Sequence, residues 1–303
     1  MRHEGLAEFA SILRLHIIGV AIAACVVFCW LMTGTHMVDV ALLGGVDWCL
    51  INLLNRITDL KEDLANDIRG TERVAAHQRA FWVGWVALFA GSFAISLTLY
   101  PQLTWLRIAV QLIGLGYSIA LVPTPRGFKR FKDLYFLKNF MSAVLFVLTC
   151  FAYPLAMAGW ETIMPGGYAA IAMLVLFFVP FELTYEILYD MRDLEGDKLA
   201  GVPTYPVAHG LHRSRQIIDA LLAASASVLV AGVLTGVLGL REGLMLAAPA
   251  IQLAFYRPRY RRGMTRADCI WLMHLGTGLL LFYVVGNTLW LRAGLPANIM
   301  LFD

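Results

Sequence analysis

Residues 183–210 read LTYEILYDMRDLEGDKLAGVPTYPVAHG. The stretch begins as the polar end of a long apolar segment and turns into a run of carboxylates. Asp190, Asp193 and Asp197 stand at i, i+3 and i+7, a spacing that places them on one helical face. Three like charges beside an apolar segment need something to neutralise them. About 130 residues earlier a second acidic cluster, Asn55-Arg-Ile-Thr-Asp59-Leu-Lys-Glu-Asp63, has the same character. Asn55, Asp59 and Asp63 are spaced by four and lie along one stripe of the second apolar segment.

Composition decides the solvent. The chain has 303 residues, is 59% hydrophobic and 15% charged, and has a mean hydropathy of +0.69. Soluble domains carry roughly 25% charged residues. Several apolar runs reach the roughly 20 residues that span a bilayer as helix. Nine spans are expected, over 11–33, 37–57, 80–100, 103–122, 136–157, 167–189, 216–238, 242–256 and 269–292. Strand-type alternation is absent, which leaves helices as the way to satisfy backbone groups in lipid. The fold class is therefore all-α, a polytopic membrane protein with nine transmembrane helices, and residues 1–303 form a single domain. The apolar stretch near the N-terminus is long and no small-residue cleavage site follows it, so it reads as a retained helix rather than a signal peptide. A net charge of +3 does not argue for nucleic acid as a partner. The five cysteines, Cys25, Cys29, Cys49, Cys150 and Cys269, form no CxxC or zinc-type pattern and read as buried thiols.

Charge asymmetry gives an orientation. Of the 24 Lys and Arg residues, 21 fall at the start of the chain or in the loops after even-numbered spans, Arg126 and Lys129 among them. The expectation is a cytoplasmic N-terminus, both acidic clusters on the cytoplasmic face and the C-terminus on the opposite side. A transporter is expected to put its ionisable groups near the bilayer midplane, whereas these charges gather at one face, which argues against that reading. For either cluster alone the bland reading is a solvated, salt-bridged helix end. Together they suit a metal-bridged polyanion, carboxylates holding the cation and Lys or Arg the anion. Asn and Asp are hard oxygen ligands of the kind Mg²⁺ prefers, so Asn55, Asp59, Asp63, Asp190, Asp193 and Asp197 are the candidate metal ligands. One or two ions clamped on a diphosphate would stabilise the charge that develops as it leaves.

The pattern Asn55-x-x-x-Asp59-x-x-x-Asp63 with Asp190-x-x-Asp193-x-x-x-Asp197 resembles the two aspartate-rich motifs of the UbiA superfamily of intramembrane prenyltransferases. The trailing DLEGDKLAGVPTYPVAHG resembles that family's Glu-Gly-Asp, Gly, Thr, Pro-Val and Gly pattern. Tyr117-Ser118 through Arg126-Gly-Phe-Lys129-Arg130 looks like its Tyr-Ser…Leu-Lys-Arg loop with an insertion. The resemblance implies a helical bundle around a central cavity and a prenyl diphosphate donor bound through Mg²⁺, as two ions. It further implies an apolar tunnel for the isoprenoid tail, and an allylic carbocation captured by an aromatic or lipid-like acceptor. A terpene cyclase using the same diphosphate site is the alternative. Carried over, Asp59, Asp63, Asp190, Asp193 and Asp197 become catalytic ligands. Asn55, Tyr117, Lys129, Arg130, Lys138, Lys198 and Arg14 become diphosphate contacts. The family often has Asp after the first Asn; here Arg56 stands there, either a phosphate contact or a solvent-facing side chain. The EGDKLAG segment is more similar to the homogentisate, chlorophyll and archaeal-lipid branches than to the hydroxybenzoate one.

Other polar residues sit within apolar spans. Glu182 and Glu186 continue the Asp190 stripe inward, where carboxylates face a cavity or a partner. Glu186 is the candidate to orient the acceptor or take its proton. Asp47 reads as a helix–helix hydrogen bond, and His16, His274 and Asn287 as interhelical hydrogen bonds. Tyr185, Tyr189, Phe177, Phe178 and Phe181 either line a cation pocket or pack as anchors.

Overall fold

The computed structural model describes residues 2–125, 127–135 and 137–301, so Arg126, counted above, lies outside the described residues. The apolar runs become helices because lipid offers backbone N–H and C=O groups no partner outside their own segment. In chain order these are α1 (Arg2–Ile12), α2 (Leu15–Thr33), α3 (Val38–Thr58), α4 (Leu60–Ala65), α5 (Thr71–Ala76), α6 (Gln78–Leu99) and α7 (Thr104–Ser118). After a loop come α8 (Leu137–Val147), α9 (Tyr153–Met157), α10 (Gly167–Arg192), α11 (Leu194–Ala200) and α12 (Tyr205–Leu234). The chain then closes with α13 (Leu240–Gly243), α14 (Ala247–Arg261) and α15 (Arg266–Arg292). A π turn over Leu148–Ala152 joins α8 to α9, just ahead of Pro154, which has no N–H to continue an α ladder.

Among the described residues, seven helices are long and apolar enough to cross a membrane: α2, α3, α6, α8 with α9, α10, α12 and α15. The other two expected spans coincide with α7 and α14, each of 15 residues, shorter than the roughly 20 that cross a bilayer unaided.

The bundle winds around α2 and α10. Helix α2 packs on α3, α15 and the π turn, and α10 packs on α12, α8 and α15. Between them the core is aromatic: Phe28 stacks on Phe151 at 4.3 Å and meets Phe178 edge-on at 5.1 Å. Cys25, Cys29, Cys150 and Cys269 are buried free thiols, as read from the sequence, whereas Cys49 is only half-buried. Asp47 is wholly buried and, together with Arg107, ties four helices. It accepts hydrogen bonds from Arg107 Nε (2.9 Å) and Nη2 (2.8 Å), Gln111 Nε2 (2.9 Å) and the Tyr153 hydroxyl (2.9 Å). Arg107 Nη1 also donates to the Ser92 carbonyl at 2.9 Å. Removing one partner of such a buried pair is strongly destabilising, so this is a structural knot.

One loop departs from the all-helical expectation. Residues 122–129 form an antiparallel hairpin, β1 (Val122–Thr124) and β2 (Gly127–Lys129), with Val122 opposite Lys129. The Thr-Pro-Arg-Gly sequence is a turn signal; it reads as an insertion until the strands on either side are seen to pair.

Candidate active site

Both acidic motifs bend at their middle aspartate. Helix α3 ends at Asp59 (φ −100°, ψ 25°) and α10 ends at Asp193 (φ −96°, ψ 11°). The hydrogen-bond ladder nevertheless runs through. Asp59 N–H reaches Asn55 O and Asp63 N–H reaches Asp59 O, both at 2.9 Å; Asp193 N–H reaches Tyr189 O and Asp197 N–H reaches Asp193 O, both at 3.0 Å. The expectation of one continuous helical face is corrected accordingly. Each motif occupies the end of a spanning helix and the first turns of a short one, because the positive ψ at the aspartate tilts the turn that follows. The short helices α4 and α11 then pack on each other. Gly196 makes this possible: a Cβ there would lie 2.2 Å from Asn66 Nδ2, and the Gly196 N–H instead donates to Asn66 Oδ1 at 3.0 Å.

This meeting encloses a polar hollow of about 140 Å³. Asn55, Arg56, Asp59, Asp63, Asp190, Asp193 and Asp197 line it together with Arg14, Tyr117, Lys138 and Glu186. Every carboxylate of the two motifs has a cationic partner. Asp59 is held by Lys132 Nζ (2.6 Å) and Arg130 Nη1 (3.1 Å), and Asp63 by Arg56 Nη1 (2.7 Å). Lys138 Nζ bridges Asp190 (2.9 Å) and Asp197 (3.0 Å), and Arg192 Nε donates to Asp193 at 2.7 Å. Asn55 Nδ2 donates to Asp59, and Asn139 Nδ2 to Asp190 at 2.8 Å. Burial pushes the Asp197 carboxyl up to about 6, against the pull of the Lys138 ammonium. Burial acts on Asp193 as well, but the hydrogen bonds and charge of Arg192 outweigh it and hold that carboxyl below its usual range.

Several expected contacts stand elsewhere. Lys198 is an exposed residue of α11 paired with Glu195 at 2.9 Å, and Lys129 belongs to the hairpin; neither lines the hollow. Arg130 is also not a lining residue, because Asp59, Glu62 and Asp133 occupy its guanidinium. Arg56 is neither solvent-facing nor unpaired: it is buried against Asp63 and donates to the Ser11 carbonyl at 3.1 Å. Arg14 lines the hollow. It sits between α1 and α2 in a left-handed conformation (φ 52°) and makes no ion pair among the described residues. The hollow also takes in Asn52, Glu62, Asn66, Lys132 and Arg192. Glu62 and Asn66 extend the Asn55 stripe and were readable on it; Lys132 comes from a loop and carried no such signal.

Among the described residues no three His, Cys, Asp or Glu side chains form a ready-made metal cage. Mg²⁺ does not require one, since it is commonly held by one or two carboxylates, waters and substrate phosphates. The all-oxygen donors Asn55, Asp59, Asp63, Asp190, Asp193 and Asp197 around one hollow fit an ion of that kind shared with a phosphate ligand.

A second, apolar cavity of about 690 Å³ adjoins the first. Phe177, Phe178, Phe181 and Tyr185 line it, whereas Tyr189 lines the polar hollow and carries the Arg192 guanidinium 4.4 Å from its ring centre. Ile17 and Glu186 line both spaces. His16 lines the hollow with its ring centre 6.3 Å from that of His274. Asn287 donates to Tyr283 O of its own helix at 2.8 Å, so its expected interhelical bond is replaced by a local one.

Known proteins resemble this chain in sequence and in fold. A digeranylgeranylglyceryl phosphate synthase from Natronomonas pharaonis is 33% identical over 164 residues, 54% of this chain; the match spans about half of that relative, 53% of its length. A synthase of the same name from Methanoregula boonei is 25% identical over 98% of this chain and 97% of its own length. The solved UbiA homolog from Archaeoglobus fulgidus bound to DMAPP and Mg²⁺ superposes with a TM-score of 0.67 at 18% identity, covering 92% of this chain and 98% of that one. The apo UbiA homolog from Aeropyrum pernix K1 gives 0.63 at 16% identity, covering 91% and 98%. The model of the UbiA prenyltransferase family matches residues 16–278. The chain therefore belongs to the UbiA prenyltransferase family and is an intramembrane prenyltransferase.

Proposed function

We propose that the enzyme transfers an isoprenyl group from a prenyl diphosphate to a glyceryl phosphate-type lipid, with Mg²⁺ and the two acidic motifs holding the diphosphate. The observation that carries this reading is that a carboxylate-rich hollow and an aromatic, apolar cavity share Ile17 and Glu186 in their walls. A prenyl diphosphate has the same two halves. Its diphosphate belongs in the hollow beside Arg14, Tyr117 and Lys138, and its tail in the cavity among Phe177, Phe181 and Tyr185. Asn55, Asp59, Asp63, Asp190, Asp193 and Asp197 would hold Mg²⁺, as two ions. The bound metal neutralises charge that develops on the departing diphosphate. Aromatic faces beside the reacting carbon stabilise its developing positive charge, and Glu186 accepts the proton that the acceptor loses. The names of the two curated relatives support a glyceryl phosphate acceptor over an aromatic one.

In the membrane, α7 and α14 complete nine spans around the cavity. The N-terminus and the acidic hollow face the cytoplasm and the C-terminus the opposite side, in keeping with the Lys and Arg distribution. The test is the purified full chain with a series of prenyl diphosphates, with Mg²⁺ or EDTA, and with glyceryl phosphate or phenolic acceptors. Mg²⁺-dependent diphosphate release coupled to a new ether is expected. Release with terpene hydrocarbon formed from the donor alone would make the enzyme a cyclase. No release under any condition overturns the reading.

A further inference from the structure

Glu182 and Glu186 lie one turn apart on α10, and both face Ser142 of α8. The Ser142 Oγ stands 2.9 Å from Glu182 Oε1 and 2.9 Å from Glu186 Oε1. The other oxygen of Glu182, Oε2, is buried and has no hydrogen-bond partner among the described residues. A serine hydroxyl has one hydrogen, and an ionised carboxylate has none to give. One hydroxyl hydrogen cannot serve both contacts, so a carboxyl must carry a proton. The smallest complement that satisfies the geometry is one added proton and one negative charge over the pair. Among the described residues neither glutamate has a Lys, Arg or His ion-pair partner. Carboxylates at that depth without a cation are expensive to keep and mark function more often than packing.

Their placement says which function. Glu182 is buried and lines only the apolar cavity; Glu186 is half-buried and lines both spaces. With the diphosphate in the hollow and the tail in the cavity, the carbon between them lies beside Glu186. Whatever attacks that carbon does so in front of this pair.

We infer that Glu182, Ser142 and Glu186 form one acceptor-side proton unit, and that the acceptor presents a hydroxyl group to it. This rests on the prenyltransferase reading above, its hydroxyl-bearing acceptor included, and adds two residues, Glu182 and Ser142. The carbon–oxygen bond of the donor breaks and its electron pair leaves with diphosphate. A lone pair of the acceptor oxygen forms the new carbon–oxygen bond, and the acceptor's O–H proton passes to Glu186. Glu182 and Ser142 are positioning residues: they keep the retained proton on their side of the unit and aim the charged oxygen at the junction.

The experiment uses the full chain in lipid nanodiscs with Mg²⁺, labelled geranyl diphosphate and a glyceryl phosphate lipid bearing one free hydroxyl. Two products are counted, the prenyl ether and the prenol formed when water captures the donor. Glu186→Gln is expected to lower the ether-to-prenol ratio about a hundredfold, and Glu182→Gln and Ser142→Ala each about tenfold. Ser142→Thr, which retains the hydroxyl, is expected to stay near the parent ratio. Mg²⁺-dependent binding of the donor identifies folded variants, and if the glutamate variants do not fold, the Ser142→Ala and Ser142→Thr pair decides. Parent-like ratios in Ser142→Ala and Glu182→Gln overturn the inference, whatever happens to total turnover. So does a parent enzyme that alkylates only the ring carbon of a phenol and no alcohol. Absence of any diphosphate release by the parent overturns instead the reading beneath it, and the inference with it.

Discussion

Lys138→Met takes away a single ammonium that stands between two buried carboxylates. In the folded chain Lys138 Nζ lies 2.9 Å from Asp190 and 3.0 Å from Asp197, the one on the end of α10 and the other on α11. Without it the two carboxylates face each other inside a hollow of about 140 Å³. Removing one partner of a buried pair destabilises by about 3–5 kcal/mol. At about 2 °C per kcal/mol for a long chain, this lowers the thermal midpoint by about 6–10 °C in EDTA. Mg²⁺ offers the same carboxylates a replacement charge, and a ligand at a hundred times its dissociation constant stabilises by about 2.7 kcal/mol. Excess Mg²⁺ is therefore expected to restore roughly half or more of the loss. The parent gains less from Mg²⁺ because the ion must compete with Lys138. The assay is thermal unfolding in detergent, parent and variant, in EDTA and across a Mg²⁺ series. A variant that melts with the parent in EDTA, or equal Mg²⁺ gains in both, would refute the reasoning.

Other substitutions separate the site from its frame. Gly196→Ala forces Asn66 aside and breaks the bond from the Gly196 N–H, so a stability loss of about 1–3 kcal/mol and a drop in diphosphate affinity are expected, read by unfolding and by donor titration. Arg107→Met leaves Asp47 buried without its bidentate partner; a loss of about 3–5 kcal/mol should appear as poor yield of folded protein, with an unchanged donor KM in the fraction that folds. Lys198→Ala, at an exposed side chain outside the hollow, is expected to change donor affinity less than twofold. Lys132→Met, at a buried side chain against Asp59, is expected to weaken it more than tenfold, as isothermal titration with a prenyl diphosphate can measure.

The spanning helices were legible because apolar run length is a direct physical requirement of the bilayer, and all nine expected stretches contain a helix. Where α7 and α14 fall short, at 15 residues each, an apolar run shows that a helix is present but not where its ends lie. The acidic stripes were legible as pairs of motifs, but not their bends, since nothing in the composition of Asp59 or Asp193 announces a positive ψ. Least legible were the cations. Arg130 reaches Asp59 across 71 residues and Lys138 reaches Asp197 across 59, distances over which only tertiary packing fixes a partner. Arg56 shows the limit: its departure from the family pattern was visible, but its role as the counter-charge of Asp63 depended on where α4 turned. Ser142 was hidden for the same reason, lying on a different helix from the two glutamates it joins.

The central claim is that the two acidic motifs act together as a metal-dependent diphosphate clamp. Its most direct measurement is single-turnover diphosphate release from a prenyl diphosphate by the parent, Asp59→Asn and Asp193→Asn, across a Mg²⁺ series. These substitutions keep side-chain size and remove one charge from each motif. The account predicts Mg²⁺-dependent release in the parent and a loss of about a hundredfold or more in each variant, of the order seen when a stabilising group is taken from a developing anion. Release that is unchanged in either variant, or that proceeds equally in EDTA, would contradict it.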